Sequence, residues 1–92
     1  MPDGRRLSDE ELAIDAHRQA RVVSPVRVEW RHLGPDQRSA LVGLVRQYRL
    51  KWYLEGEAAV VDDLWRAVAP RMRVFLWQIA KRLREEAQRE IN

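Results

Sequence analysis

Basic and aromatic residues alternate in the segment RMRVFLWQIAKRLREEA, residues 71–87, and their side chains are well suited to holding a polyanion. Spacings of four, four and three separate the members of one row: Arg73, Trp77, Lys81 and Arg84. Residues three or four apart share a face of a helix. A guanidinium matches the oxygens of a phosphate, and an indole stacks on a base or a cation. The row, with Arg82 beside it, therefore predicts a surface that binds the nucleic-acid backbone.

A second basic surface is predicted in RQYRLKWY, residues 46–53, where aromatic and basic residues interleave. Proteins that bind single-stranded nucleic acids combine such residues. On a helix, two of the aromatic residues fall on the apolar stripe. The basic face that remains is formed by Arg38, Arg46, Arg49 and Tyr53, and the last three are our candidate nucleic-acid contacts. We expect the arginines to contact phosphates and Tyr53 to stack or brace them, contacts that position a nucleic acid without reading its sequence.

Both basic faces have an alternative interpretation as ordinary solvated helix surface. Lys81 and Glu85 stand four residues apart, as do Arg82 and Glu86, and such pairs stabilise a helix by a few tenths of a kcal/mol each. The glutamates also weaken the positive field in the last turns. Trp77 would then pack against the first helix or a second copy of the chain, and the surface would not contact nucleic acid.

Catalytic and metal-binding motifs are absent from the sequence. His17 and His32 lie on different predicted elements and do not match a zinc-protease spacing. Asp62 and Asp63 are adjacent, so on a helix their side chains point about 100° apart and make a poor acid–base pair. The chain has no cysteine and no phosphate-binding glycine loop. We therefore expect a protein that is not an enzyme and needs no cofactor or metal.

Composition predicts one folded domain that lies off the membrane. Hydrophobic residues make up 46% of the 92 residues, which argues against a disordered chain. The 34% that are charged predict a heavily charged exterior. No apolar run approaches the roughly 20 residues that span a bilayer, and the first residues do not resemble a secretory signal. We expect a cytoplasmic location and no membrane partner. A net charge of +3 permits polyanion binding without requiring it.

Apolar periodicity predicts an all-α fold, a small bundle of about four helices. Ser8 and Glu11 form a capping-box pattern at the start of the first helix, and Pro70 is expected to break the chain before the fourth. The predicted helices span residues 9–21, 36–54, 57–69 and 70–90. Residues 1–7 are expected to form a flexible tail, and residues 8–92 a single helical domain.

One short segment, residues 22–30, is predicted to be extended. Within it Val26, Val28 and Trp30 alternate with charged residues and would share one face of a strand. A lone strand leaves its backbone groups unpaired, so it must pair within the chain, pair with another chain, or lie as a linker over the helices. These three residues are our candidates for contacts with a protein partner or a second copy.

Two functions remain open at this stage. The first is a small accessory subunit of a larger assembly that binds DNA or RNA backbone through the arginine-rich helical faces. The alternative is a protein–protein interaction module, such as an inhibitor, adaptor or assembly subunit, without nucleic-acid contact. It would use Trp30 or Trp77 as its anchor, since tryptophan is common at binding hot spots.

Overall fold

Helices account for all the regular structure in the part of the chain that the computed structural model describes, residues 6–24, 28–67 and 69–91. They are α1 (Asp9–Val23), a 3₁₀ turn (Trp30–His32), α2 (Pro35–Glu55), α3 (Glu57–Arg66) and α4 (Pro70–Ile91). The prediction of an all-α bundle with four helices is confirmed for these residues.

Local sequence signals explain most of the helix boundaries. At α1, the Ser8 hydroxyl accepts a hydrogen bond from the Glu11 backbone N–H, and the Glu11 carboxylate accepts one from the Ser8 N–H, both at 3.1 Å. Gly56 separates α2 from α3 with φ of 91°, a left-handed conformation that glycine adopts without strain. α3 ends at Arg66, three residues before the predicted end, and α4 begins at Pro70 as predicted.

The core lies between the helices, and its tightest layer joins α1 to α4. Ala13, Ala16 and Ala20 are buried on α1, and their small side chains allow α4 to approach closely. The buried apolar side chains described on α4 are Phe75, Leu76, Ile79, Ala80 and Leu83. α2 contributes Val45 to the core, and α3 contributes Leu64. α1 packs against α2 and α4, and α3 packs against the same two helices, so neighbours in sequence are neighbours in space.

The described residues of this segment, 22–24 and 28–30, do not form the predicted strand. Val22 and Val23 belong to α1, and Trp30 begins the 3₁₀ turn. Among these residues Glu29 has an extended backbone, with φ of −99° and ψ of 160°. Val26 lies outside the described residues. An α-helix outcompetes the strand at the start of this segment because α1 continues its hydrogen bonding through the Ser24 N–H, which donates to the Ala20 carbonyl.

The N-terminal segment is anchored before α1 begins. Leu7 packs partly buried against the core, and its backbone N–H donates to Glu86 on α4 at 3.0 Å. Leu7 therefore does not belong to a loose tail, whereas residues 1–5 lie outside the described part of the chain. None of the described helices combines the length and apolar character that a bilayer crossing requires.

Candidate interaction surface

Three of the four residues in the predicted basic row of α4 contact α3. Arg73 donates a hydrogen bond to the Ala67 carbonyl at 2.8 Å, and Arg84 pairs with Glu57. Between them, the Trp77 ring meets the Trp65 ring edge-on, with centroids 6.5 Å apart and an angle of 83°. We call this set of contacts the α3–α4 seam.

The charges of the α3–α4 seam complement the helix dipole of α3. Arg73 holds the carbonyl at the C-terminal end of that helix, where a cation is favourable, and Glu57 lies in its first turn, where a carboxylate is favourable. Both guanidinium groups thus serve an intramolecular contact. Lys81 is exposed, and the Arg82 side chain is mostly covered and pairs with Glu85 at 3.2 Å. The row is therefore mainly a joint between helices.

Arg49, the second predicted phosphate ligand on α2, is the centre of an internal ion cluster. Its guanidinium donates to Asp9 at 3.0 Å, to Glu86 at 2.8 Å and to the Leu7 carbonyl at 2.8 Å. The Arg49 side chain is only 15% exposed and that of Glu86 only 5%. We call these four residues the Arg49 cluster. It joins α1, α2, α4 and the N-terminal segment.

The remaining α2 candidates are exposed. Arg46 reaches Asp9 at 3.2 Å with its side chain 72% exposed, and Tyr53 is 80% exposed. Arg46 lies where α2 faces α1, and Tyr53 borders a hollow together with Glu86 and Glu90 of α4, whereas the basic row of α4 faces α3. The structure therefore does not bring the two predicted basic faces together into one surface.

The candidate partner contacts near residue 30 are partly occupied within the chain. The Trp30 ring packs against the core and meets the His17 ring edge-on, with centroids 6.2 Å apart. Val28 is 43% exposed. Trp30 is therefore a packing residue of the monomer, and neither Val28 nor Trp30 lies in a strand. Val26, the third candidate, lies outside the described residues.

An apolar cleft of about 620 Å³ opens between α1, the 28–33 segment and the starts of α2 and α4. Leu41 and Phe75 line it, together with the polar side chains of His17 and His32. Burial, and to a smaller extent the charge of Arg21, lowers the pKa of His17 below its ordinary value of 6.5. No group of three or more metal-ligating side chains occurs among the described residues.

The surface that sequence reasoning missed is a second stripe on α2, which is apolar except for Gln47. Its members all lie exposed on the side of the helix that faces away from the core. They are Ala40, Gly43, Gln47, Leu50 and Leu54. Leu50 is 58% and Leu54 is 67% exposed. We call this stripe the outer α2 face; at its edge Ala40 also borders the cleft.

A detectable signal for the outer α2 face exists in the sequence. Its residues are separated by three, four, three and four positions, the alternation that places side chains along a coiled-coil seam. The signal is hidden because the same helix carries another stripe, led by Val45, Tyr48 and Trp52, which packs on the core. A helix with apolar stripes on opposite sides has little net amphipathicity, so a search for one apolar face does not detect the second stripe.

Comparison with known proteins gives no match: no family model, no curated protein and no solved structure shows significant similarity to the chain.

Proposed function

We propose that this protein is a non-catalytic interaction module that binds a helix of a protein partner on the outer α2 face. The observation that supports this is the pair of leucines, Leu50 and Leu54, exposed one turn apart on a helix whose opposite side is already in the core. Amphipathic partner helices are held by apolar anchors at such spacing. Burying both leucines would favour association by roughly 1.5–3 kcal/mol each at full burial.

Most of the arginines predicted to bind phosphate already have acceptors within the chain, which favours a protein partner over nucleic acid. Arg49, Arg73 and Arg84 each have an acceptor within the chain, and Arg49 has three. A phosphate would have to displace these acceptors and leave carboxylates such as Glu86 unpaired in a buried site, which costs several kcal/mol. For this reason we rank the protein-interaction alternative above the accessory subunit that binds nucleic-acid backbone.

Site-specific photo-crosslinking tests the proposal. We would place p-benzoylphenylalanine at Leu54, or as a matched control at Gln88, an exposed position on α4, in cells of the source organism. We expect a protein adduct from position 54 that is absent from position 88 and that disappears when Leu50→Glu is added. Equal labelling at both positions, or no adduct at position 54, would overturn the proposal.

A binding measurement with oligonucleotides addresses the competing function. Purified protein is titrated into labelled single- and double-stranded oligonucleotides at several salt concentrations. We expect no binding at low salt. Submillimolar binding that weakens steeply with salt, as counterion release requires, would reinstate the nucleic-acid prediction. It would also show that the internal ion pairs open to accept phosphate.

A further inference from the structure

We infer that the partner on the outer α2 face is a second copy of this chain, packed antiparallel about a two-fold axis between Gln47 and Leu50. This inference rests on the proposed function and specifies its partner. A two-fold interface uses the same patch on both copies, so the patch must complement itself. The outer α2 face meets this condition in the sizes of its side chains, in its backbone and in the charges beside it.

Side-chain size changes along the outer α2 face in the way that an antiparallel pair requires. The N-terminal half carries Ala40 and Gly43, and the C-terminal half carries Leu50 and Leu54. In an antiparallel pair, Leu54 of one protomer lies over Gly43 of its partner, and Leu50 lies over Gln47. A parallel pair would instead place leucine against leucine at one end and leave the small residues without a filling side chain at the other.

Gly43 has no explanation within the monomer. Glycine inside a helix is destabilising relative to alanine. A Cβ built at Gly43 meets nothing within 4 Å, so the fold does not require its small size. Next to it lies a shallow hollow of about 330 Å³, bordered by Trp30, Val42 and Arg46. A leucine from a second copy would enter this hollow and contact the bare backbone.

The charges beside the outer α2 face also favour the antiparallel arrangement. Arg46 flanks one side of the stripe and Lys51 flanks the other. A parallel coiled coil pairs positions five residues apart across its edges, so it would set Arg46 of one protomer against Lys51 of its partner. Asp63 already balances the charge of Lys51 at 2.6 Å, so the parallel pair would give Arg46 no attractive contact there. An antiparallel pair sets Arg46 beside the exposed Tyr53 of the partner instead, where a cation is attracted to the ring.

The size of the face indicates a weak dimer. From Ala40 to Leu54 the helix rises about 21 Å, and a helix with its side chains is about 10 Å wide. One such strip on each copy falls below the roughly 1,200 Å² of total buried area at which stable interfaces begin. We therefore expect a reversible monomer–dimer equilibrium with a Kd on the order of 10–100 µM rather than a permanent dimer.

Cysteine crosslinking tests both the dimer and its direction, because the native chain contains no cysteine. Helices 8–10 Å apart, each with Cα atoms about 2.3 Å from its axis, bring facing Cα atoms to about 3–5 Å, which overlaps the range for a disulfide. We would oxidise Gly43→Cys alone, Leu54→Cys alone, and an equal mixture of the two. We expect a covalent dimer in the mixture only. Dimers in each separate sample would show a parallel pair, and no dimer in any sample would overturn the inference.

Sedimentation of the intact chain provides a test without new thiols. We expect the native protein to dimerise in the micromolar range and Gly43→Leu to weaken dimerisation at least tenfold, because its side chain fills the hollow that the partner's leucine needs. Gln88→Leu on α4 is the matched control and should leave dimerisation unchanged. A native protein that stays monomeric up to about 500 µM, well above the Kd range expected for so small an interface, would overturn the inference.

The two proposals fail in different ways. If crosslinking and sedimentation show no dimer while the photo-crosslinker at Leu54 still captures a protein of another mass, the interaction module stands and the second copy is wrong. If the photo-crosslinker captures nothing and the purified chain stays monomeric, both proposals are wrong.

Discussion

Replacement of Arg49 by methionine separates an internal role for this side chain from a role in phosphate binding. Arg49→Met leaves the Glu86 carboxylate, whose side chain is 5% exposed, with the Leu7 N–H at 3.0 Å and the distant Arg6 at 3.9 Å. Removing one partner of a buried ion pair costs about 3–5 kcal/mol. Because Glu86 keeps the Leu7 N–H, we expect the low end, a loss of about 3 kcal/mol in the free energy of unfolding.

The assay is chemical and thermal denaturation followed by circular dichroism. A loss of 3 kcal/mol in a domain of this size lowers Tm by about 12–24 °C. The matched control is Arg46→Met, one turn earlier on α2, whose ion pair with Asp9 is 72% exposed on the arginine side and should contribute less than about 1 kcal/mol. The double variant Arg49→Met/Glu86→Met should recover at least half of the loss, since it leaves no buried charge unpaired.

A small effect would refute this reasoning. If Arg49→Met costs less than about 1 kcal/mol, the guanidinium contributes no more than a surface ion pair. It would then be free to exchange its carboxylates for phosphates, and the original interpretation of this residue would regain its basis. A full loss with no recovery in the double variant would instead show that Arg49 acts by packing rather than by charge.

Three further predictions concern the bundle. Arg73→Glu/Arg84→Glu replaces both guanidinium groups of the α3–α4 seam with carboxylates, and we expect it to lower the free energy of unfolding by about 2 kcal/mol in a urea titration. An unchanged unfolding midpoint would show that the seam does not stabilise the fold. The pKa of His17 is lower in the folded state than in the unfolded chain, so as the pH falls the unfolded chain binds this proton before the folded state does. The free energy of unfolding should therefore keep its full value above about pH 6.5, the ordinary pKa of histidine, and decrease as the pH falls below it. Melting curves between pH 7.5 and 5.5 should show this slope, which His17→Gln should remove and His32→Gln should retain. Ser8→Ala removes the N-cap acceptor of α1 and should cost about 1 kcal/mol in thermal unfolding, and an unaltered Tm would contradict the capping argument.

Local signals predicted the helices well and the purposes of their polar side chains poorly. The capping box at Ser8 and the break at Pro70 act through contacts within a few residues, so the sequence displays both partners. Arg73 also has a nearby partner, the Ala67 carbonyl six residues away, but only the bend between α3 and α4 turns that carbonyl toward it. The strand prediction at Trp30 was wrong because period-two alternation over five residues is too short to outweigh the packing of its ring on His17 and the core.

The sequence by itself determined the helical class and the positions of most helix ends, because backbone hydrogen bonding and apolar periodicity are local properties. Only the tertiary structure decided which charges are available to a ligand. Arg49 and Arg46 look equivalent along the chain, yet one is buried between Asp9 and Glu86 and the other is exposed. Glu86 is 37 residues from Arg49, and only the packing of α4 beside α2 brings the two charges together. The same packing turns one stripe of α2 into the core and leaves Leu50 and Leu54 facing outward.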